Sequence, residues 1–359
     1  MTRILAFLLV FAVFSALVGC SPAQPALTKY SYEFLGSFDT LIQFMGYAKD
    51  QASFEKMAKK GQARFEELHR IFDIYHDYDG IVNVKTLNDQ AGAAPVKAGA
   101  DLLDFITFCI DWHDRTDGVC NIALGPVLSL WHDARTNGTD DPATAALPDR
   151  TALLEASRLC DIRDVRVDKT AGTVFLARKG MSLDVGAVAK GYACRVVMDE
   201  LKSAGYSSFV ISGGGNIVTV GAPQDGIRKK WGVGIQNPDG NPLNPDDSPL
   251  DVAYVNDLSV VTSGDYQRTY VVDGKPYHHL IDPATLMPAV HYRSVTVMTP
   301  DPGLADFFST TLFLLPYGES LAAAKKDGID ALWIFPDGTV ETTDGMKAVL
   351  RDLGGATNR

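Results

Sequence analysis

"LDVGAVAKGYACRVVMDELKSAGYSSFVISGGGNIVTVG", residues 183–221, decides the class of fold. Its first half reads as a helix that ends at Gly205, glycine being the residue that most readily takes the left-handed turn after a helix. "SFVISGGGNIVTVG" then reads as strand, glycine turn, strand. A helix that feeds a hairpin does not belong to a regular βαβ array, whose parallel strands each need a crossover. The surrounding sequence has the same texture. Residues 30–49 alternate as a strand or hairpin, and residues 165–178, "VRVDKTAGTVFLAR", read as strand, turn, strand. "WGVGIQNP", "LSVVTSG", "TYVVDGKPYHHLID" and "SVTVMTP" read as further strands, and "ALWIFPDGTVETTDGM" as a hairpin. Helical spacing is expected over 51–72, 101–113 and 149–160, the last with Asp149 as N-cap, and in "LADFFSTTLFLLP". In "NIALGPVLSLW", residues 121–131, the Gly-Pro pair predicts a turn into a short helix, and "RTNGTDDPATAALPD" a polar loop. The expected fold is α+β, with mainly antiparallel sheets and packed helices.

With 359 residues, 46% of them hydrophobic, the chain can bury a substantial core. A formal charge of -11 and the lack of any Lys/Arg run argue against nucleic acid as a partner. The first residues, "MTRILAFLLVFAVFSALVGC", combine Arg3 with an apolar run too short to span a membrane comfortably, which fits a signal sequence. "LVGC" resembles a bacterial lipoprotein cleavage box. The expected division is a signal peptide over 1–19, a lipidated Cys20 opening a tether over 20–29, and one domain over 30–350. Such a protein is exported and held at the periplasmic face of a membrane by its lipid. Cys109, Cys120, Cys160 and Cys194 show no zinc-like spacing, and at least two are expected to be buried thiols.

Three motifs carry chemistry. "SGGGN", residues 212–216, offers free backbone N–H groups to a phosphate, although such a run alone is more often a tight turn. "LDVGAVAKGYA" sets Asp184 before a helix and Lys190 within it, among small residues that let a ligand approach. "ADFFST" places Asp306 and Thr310 four residues apart on an apolar helix, so both oxygens share a face. A carboxylate in apolar surroundings must be paired or bound to metal, and oxygen donors suit Mg²⁺ or Ca²⁺ rather than zinc. Last, "YHHLIDPAT" puts two of the chain's 7 histidines side by side, with Asp282 close behind. Adjacent residues of a strand face opposite ways, so one histidine should face a pocket and the other should not.

"LDVGAVAKGYA", "GGGN", "TSGDYQR", "YHHLIDPAT" and "ADFFSTTL" occur in the order and spacing of one family. Over roughly residues 30 to 345 the chain resembles the FAD:protein FMN transferases, the ApbE-like flavin transferases once called thiamine-biosynthesis lipoproteins. The resemblance implies a T-fold-related architecture and a periplasmic enzyme that uses Mg²⁺, or else Ca²⁺ or Mn²⁺, to split FAD. FMN passes to a Thr or Ser hydroxyl of a partner protein and AMP is released; known partners are subunits of sodium-pumping quinone reductases and Rnf-type complexes. By position, Asp306, Thr310 and the Ala187 carbonyl are implied metal ligands. Phe38, Tyr75, Ala123, Leu124, Gly125, Asp184, Lys190 and His279 are implied FAD contacts. His279 is the catalytic candidate, with His278 second and Asp282 either orienting a ring or simply forming the turn before Pro283. The chain departs from the family at Ala123, at Arg195, at "FDT" (residues 38–40) and at Leu286, which replaces a turn glycine, so that turn is expected to differ. The rival reading of the same pocket is an FAD-binding lipoprotein that hydrolyses FAD without transferring FMN.

Overall fold

A computed structural model describes residues 27–240 and 249–358; Cys20 and the segment 1–19 lie outside the described residues. The framework is one eight-stranded antiparallel sheet whose strands follow each other in chain order. They are β1 (Thr28–Ser37), β2 (Thr40–Ala48), β3 (Phe209–Gly213), β4 (Asn216–Val220), β5 (Ser259–Gly264), β6 (Ser294–Thr299), β7 (Asp330–Ile334) and β8 (Val340–Thr342). Four short sheets of two or three strands lie in the connections. The "FDT" and "GGG" stretches are the two hairpin turns at one end of the sheet. Phe38 and Asp39 both take positive φ, as do Gly214 and Gly215, the backbone that a tight hairpin needs.

Five helices build the site's surroundings: α1 (Gln51–Phe72), α2 (Ala100–Arg115), α3 (Gly125–Asp140), α4 (Ala189–Ser203) and α5 (Pro302–Leu314). In α5 every residue but Leu304 is buried, because the helix is packed between α4 and strands β5 and β6. Contact with α4 is close at Gly191. A Cβ there would lie 2.3 Å from Asp306 Cβ, so only glycine lets the helices meet at this distance.

The structure corrects several expectations. Helix α3 continues six residues into the stretch read as a loop, to Asp140. Gly138, which weakens a helix by propensity, is buried against the Tyr270 ring, and tertiary packing outweighs propensity there. Helix α4 starts at Ala189, leaving Asp184 in a preceding turn where its Oδ1 accepts the Gly186 N–H at 2.9 Å. His278 and His279 lie on no strand; they join Lys275–Tyr277 to Ile281–Asp282. Leu286 replaces the glycine yet adopts the left-handed backbone itself, with φ 61°. Its side chain is buried and its carbonyl accepts the Trp131 Nε1–H at 3.0 Å. Asp149 caps its helix as expected, accepting from the Ala152 N–H. All four described cysteines are free and buried.

Candidate active site

One cavity of about 1020 Å³ opens where the hairpin turns, the segment after α1, the inner face of α3 and the N-terminal turn of α4 converge on α5. That is the size of a pocket for a dinucleotide-sized ligand. Two sets of its lining residues are chemically distinct and are called its first and second ends.

At the first end, Asp306 and Thr310 are 6% and 8% exposed and both line the wall. Asp306 Oδ2 accepts the Gly191 N–H at 2.7 Å. Burial raises the Asp306 pKa, while the Lys190 charge, the Gly191 N–H and the Asn216 side chain offset part of that rise. Ala187 and Lys190 line the same wall. So does Asn216, which is 2% exposed; its Nδ2 donates to the Gly213 carbonyl at 3.3 Å, and its Oδ1 has no partner. An orphaned buried oxygen is costly unless something binds it. Among the described residues no three His, Cys, Asp or Glu side chains cluster as metal ligands. A carboxylate, a hydroxyl, a carbonyl and an amide oxygen form instead a sparse, all-oxygen set. It fits Mg²⁺, which is held by few protein ligands and completed by phosphates and water.

At the second end the two histidines part company. His278 has both ring nitrogens engaged: Nε2 donates to the Ala289 carbonyl at 2.8 Å and Nδ1 accepts the Leu280 N–H at 3.2 Å. Its ring meets the Phe313 ring edge-on at 5.7 Å and does not line the cavity. His279 does line it. Its Nδ1 lies 3.1 Å from the Gln267 carbonyl, which can only accept, so the proton sits on Nδ1 and Nε2 is left with a free lone pair. Burial, then the charges of Arg268, His278 and Arg135, push the His279 pKa down to about 3. The opposite-face argument thus gives the right partition, though its strand premise does not hold. Asp282 is not brought into the cavity. Its Oδ1 accepts the Ala284 N–H at 2.8 Å, and it forms the turn before Leu286.

Aromatic and backbone groups complete the wall. Phe38 lines the cavity, its backbone N–H donating to His69 Nδ1 at 3.3 Å. Tyr75 stands at the mouth, 54% exposed, its ring 5.7 Å from that of His132. Of the 123–125 run only Leu124 faces the cavity; Ala123 is fully buried and Gly125 is pressed against Ser182. Asp184 lines the cavity, and its backbone N–H donates to the Ile122 carbonyl at 2.8 Å, tying this run to the turn before α4. Sequence reasoning missed Asp73, which is 7% exposed on the cavity wall and accepts from Tyr78 Oη at 2.7 Å and from the Tyr75 N–H at 2.6 Å. It also missed Arg135 and Arg268. Asn216, the last residue of "SGGGN", carries the signal in the sequence, as a polar residue following the turn glycines.

Known proteins resemble the chain in sequence and in fold. The sequence profile described as the ApbE family matches residues 38–333. The chain is 38% identical over 280 residues to the FAD:protein FMN transferase of Treponema pallidum, covering 74% of each protein. It is 31% identical over 276 residues to one of Klebsiella pneumoniae, covering 74% of this chain and 81% of that protein. In structure it superposes on the ApbE protein of Thermotoga maritima with a TM-score of 0.76 at 24% identity, over 90% of this chain and 99% of that one. The flavin transferase ApbE of Vibrio cholerae gives 0.74 at 20% identity, with the same coverage. These superpositions bear out the α+β, antiparallel fold.

Proposed function

The chain belongs to the ApbE family, and on that premise we propose that it transfers FMN from FAD to a Thr or Ser hydroxyl of a partner protein. The acceptor oxygen attacks the phosphorus on the FMN side. A phosphoester bond forms, the pyrophosphate P–O bond breaks, and AMP leaves with the electron pair. The acceptor's proton goes to Nε2 of His279, the imidazole nitrogen left open by the Gln267 contact. Asp306, Thr310, the Ala187 carbonyl and Asn216 Oδ1 are the residues that would hold a divalent cation. Bound there, Mg²⁺, or Ca²⁺ or Mn²⁺ in its place, supplies positive charge to the pyrophosphate oxygens. Phe38, Tyr75 and Leu124 offer apolar faces to the flavin nucleotide, with Asp184 and Lys190 on the adjoining wall.

The observation that carries this reading is the coexistence, in one cavity, of the all-oxygen end and a histidine with a free Nε2. Water and a protein hydroxyl would both give up a proton to that nitrogen; the preference for transfer comes from the relatives, which are named FAD:protein FMN transferases. We extend the proposal to the setting: Cys20 lipidated after removal of residues 1–19, the enzyme anchored at the periplasmic face, and the acceptor a subunit of a sodium-pumping quinone reductase or Rnf-type complex. Incubation with FAD, Mg²⁺ and such a subunit is the test. Flavin fluorescence that stays with the acceptor through denaturing electrophoresis supports transfer. Free FMN and AMP with no adduct means hydrolysis only, and unchanged FAD refutes both.

A further inference from the structure

The cavity contains two cations that the mechanism above does not use. Arg135 follows Leu128 and His132 along the inner face of α3, and Arg268 projects from the segment between β5 and the strand Tyr270–Val272. Arg135 is half-buried, and among the described residues its one hydrogen bond is from Nη2 to His132 Nδ1 at 3.1 Å. A guanidinium carries five N–H donors, so most of this one's capacity is unspent. Among the described residues, no carboxylate lies within 4.0 Å of either guanidinium. Burial, then the Arg268 charge, lowers the Arg135 pKa, and Asp184 counters this less strongly than Arg268 drives it. Both arginines line the cavity together with Tyr75 and His279. Arg268 also holds a left-handed backbone, φ 46°, unusual for a residue with a side chain. Arg135 is half-buried and Arg268 exposed on the wall of one cavity, and two like charges facing one space favour an anion between them.

We infer that Arg135 and Arg268 form a clamp for a phosphate group of the dinucleotide, in the same cavity as the cation-binding oxygens. The guanidinium fork matches phosphate oxygens two at a time, which a lysine cannot do. The inference rests on the flavin-transferase reading for the identity of the nucleotide but not for the chemistry of the clamp. It also gives the depressed His279 a role in order of events. A phosphate between the guanidiniums offsets two of the charges that hold the imidazole low, so the base gains strength once the nucleotide is in place.

Binding measurements on the whole protein test this. Wild type, Arg135→Gln/Arg268→Gln and Arg135→Lys/Arg268→Lys are titrated with FAD and with riboflavin, followed by flavin fluorescence, and with inorganic pyrophosphate by calorimetry. Circular dichroism and Tm confirm that each is folded. Loss of the charge-assisted bonds should weaken FAD and pyrophosphate by about tenfold or more in the glutamine variant. Riboflavin, which has no phosphate, should bind as in wild type, and the lysine variant should recover part of the loss. FAD and pyrophosphate affinities within about twofold of wild type in the folded glutamine variant overturn the clamp. So does unchanged FAD affinity with a raised KM for the acceptor, because the arginines then serve an acceptor carboxylate. If wild type binds no flavin but binds pyrophosphate through the arginines, the clamp stands and the flavin reading falls.

Discussion

Gly191→Ala probes the junction on which the cation end depends. The added methyl would lie 2.3 Å from Asp306 Cβ and 2.4 Å from the Pro302 carbonyl oxygen. Carbon atoms in contact prefer about 3.5–4.0 Å, so α4 and α5 must part by roughly 1 Å. Both struck atoms belong to α5, which is buried along nearly its whole length and cannot tilt freely. Overpacking of this kind costs about 1–3 kcal/mol. Alanine's better helix propensity returns up to about 1 kcal/mol, leaving a net loss of roughly 0–3 kcal/mol and a Tm lower by several degrees at most. The site suffers more than the fold. Separation of the helices stretches the 2.7 Å bond from the Gly191 N–H to Asp306 Oδ2, which sets the carboxylate's position. Transfer at limiting Mg²⁺ should fall by about tenfold or more, as expected when a bond to a charged group worth about 1.5–3 kcal/mol is lost, with partial recovery in excess Mg²⁺. The assays are thermal unfolding and initial rate against Mg²⁺ concentration. A raised Tm with an unchanged rate would mean that the helices do not meet at Gly191, and would refute the reasoning.

Asp306→Ala should abolish transfer at low Mg²⁺ while leaving a folded protein, since it removes the only carboxylate of the oxygen set; normal transfer at low Mg²⁺ would sink the metal assignment. For Asp73, burial alone would raise the pKa, but bonds from Tyr78, Tyr75 and His76 hold it below the ordinary carboxylate value. Its stabilising contribution is therefore present above the unfolded-state pKa of about 3.9 and lost as pH falls through the folded value. Asp73→Asn should be less stable than wild type at pH 7, the two unfolding curves converging below about pH 4; a constant gap across that range would count against the network. Cys20→Ser should release the enzyme from the membrane fraction, or leave it uncleaved, with unaltered activity once purified. Activity lost together with anchoring in a folded sample would contradict a purely tethering role.

Much of this architecture is legible in the sequence because it is set locally. Gly214 and Gly215 mark a turn that only a hairpin uses, Asp149 and Gly205 mark helix ends, and the Asp306–Thr310 spacing fixes a shared face. What the sequence conceals is set by contacts between distant segments. Helix α3 runs on through Gly138 because Tyr270 packs there, more than a hundred residues away in the chain. Leu286 keeps a glycine's backbone because its buried side chain and its bond to Trp131 hold it. Arg135 falls in the stretch that reads as a loop, and it is the continuing helix that sets it on the cavity wall. The choice between His278 and His279 rests on which ring nitrogen remains free, a property of Ala289, Leu280 and Gln267 that no spacing reveals.

The central claim is that one cavity holds both FAD and the proton acceptor for the incoming hydroxyl. Its most direct test is His279→Ala, with FAD affinity and FMN transfer rate measured on the same preparation and His278→Ala as the control. The account predicts FAD binding close to wild type and loss of most of the transfer rate in His279→Ala, with a milder effect in His278→Ala, whose histidine is engaged in structural bonds. Near-wild-type transfer by both variants would contradict it, and would leave removal of the hydroxyl proton to a carboxylate or to water.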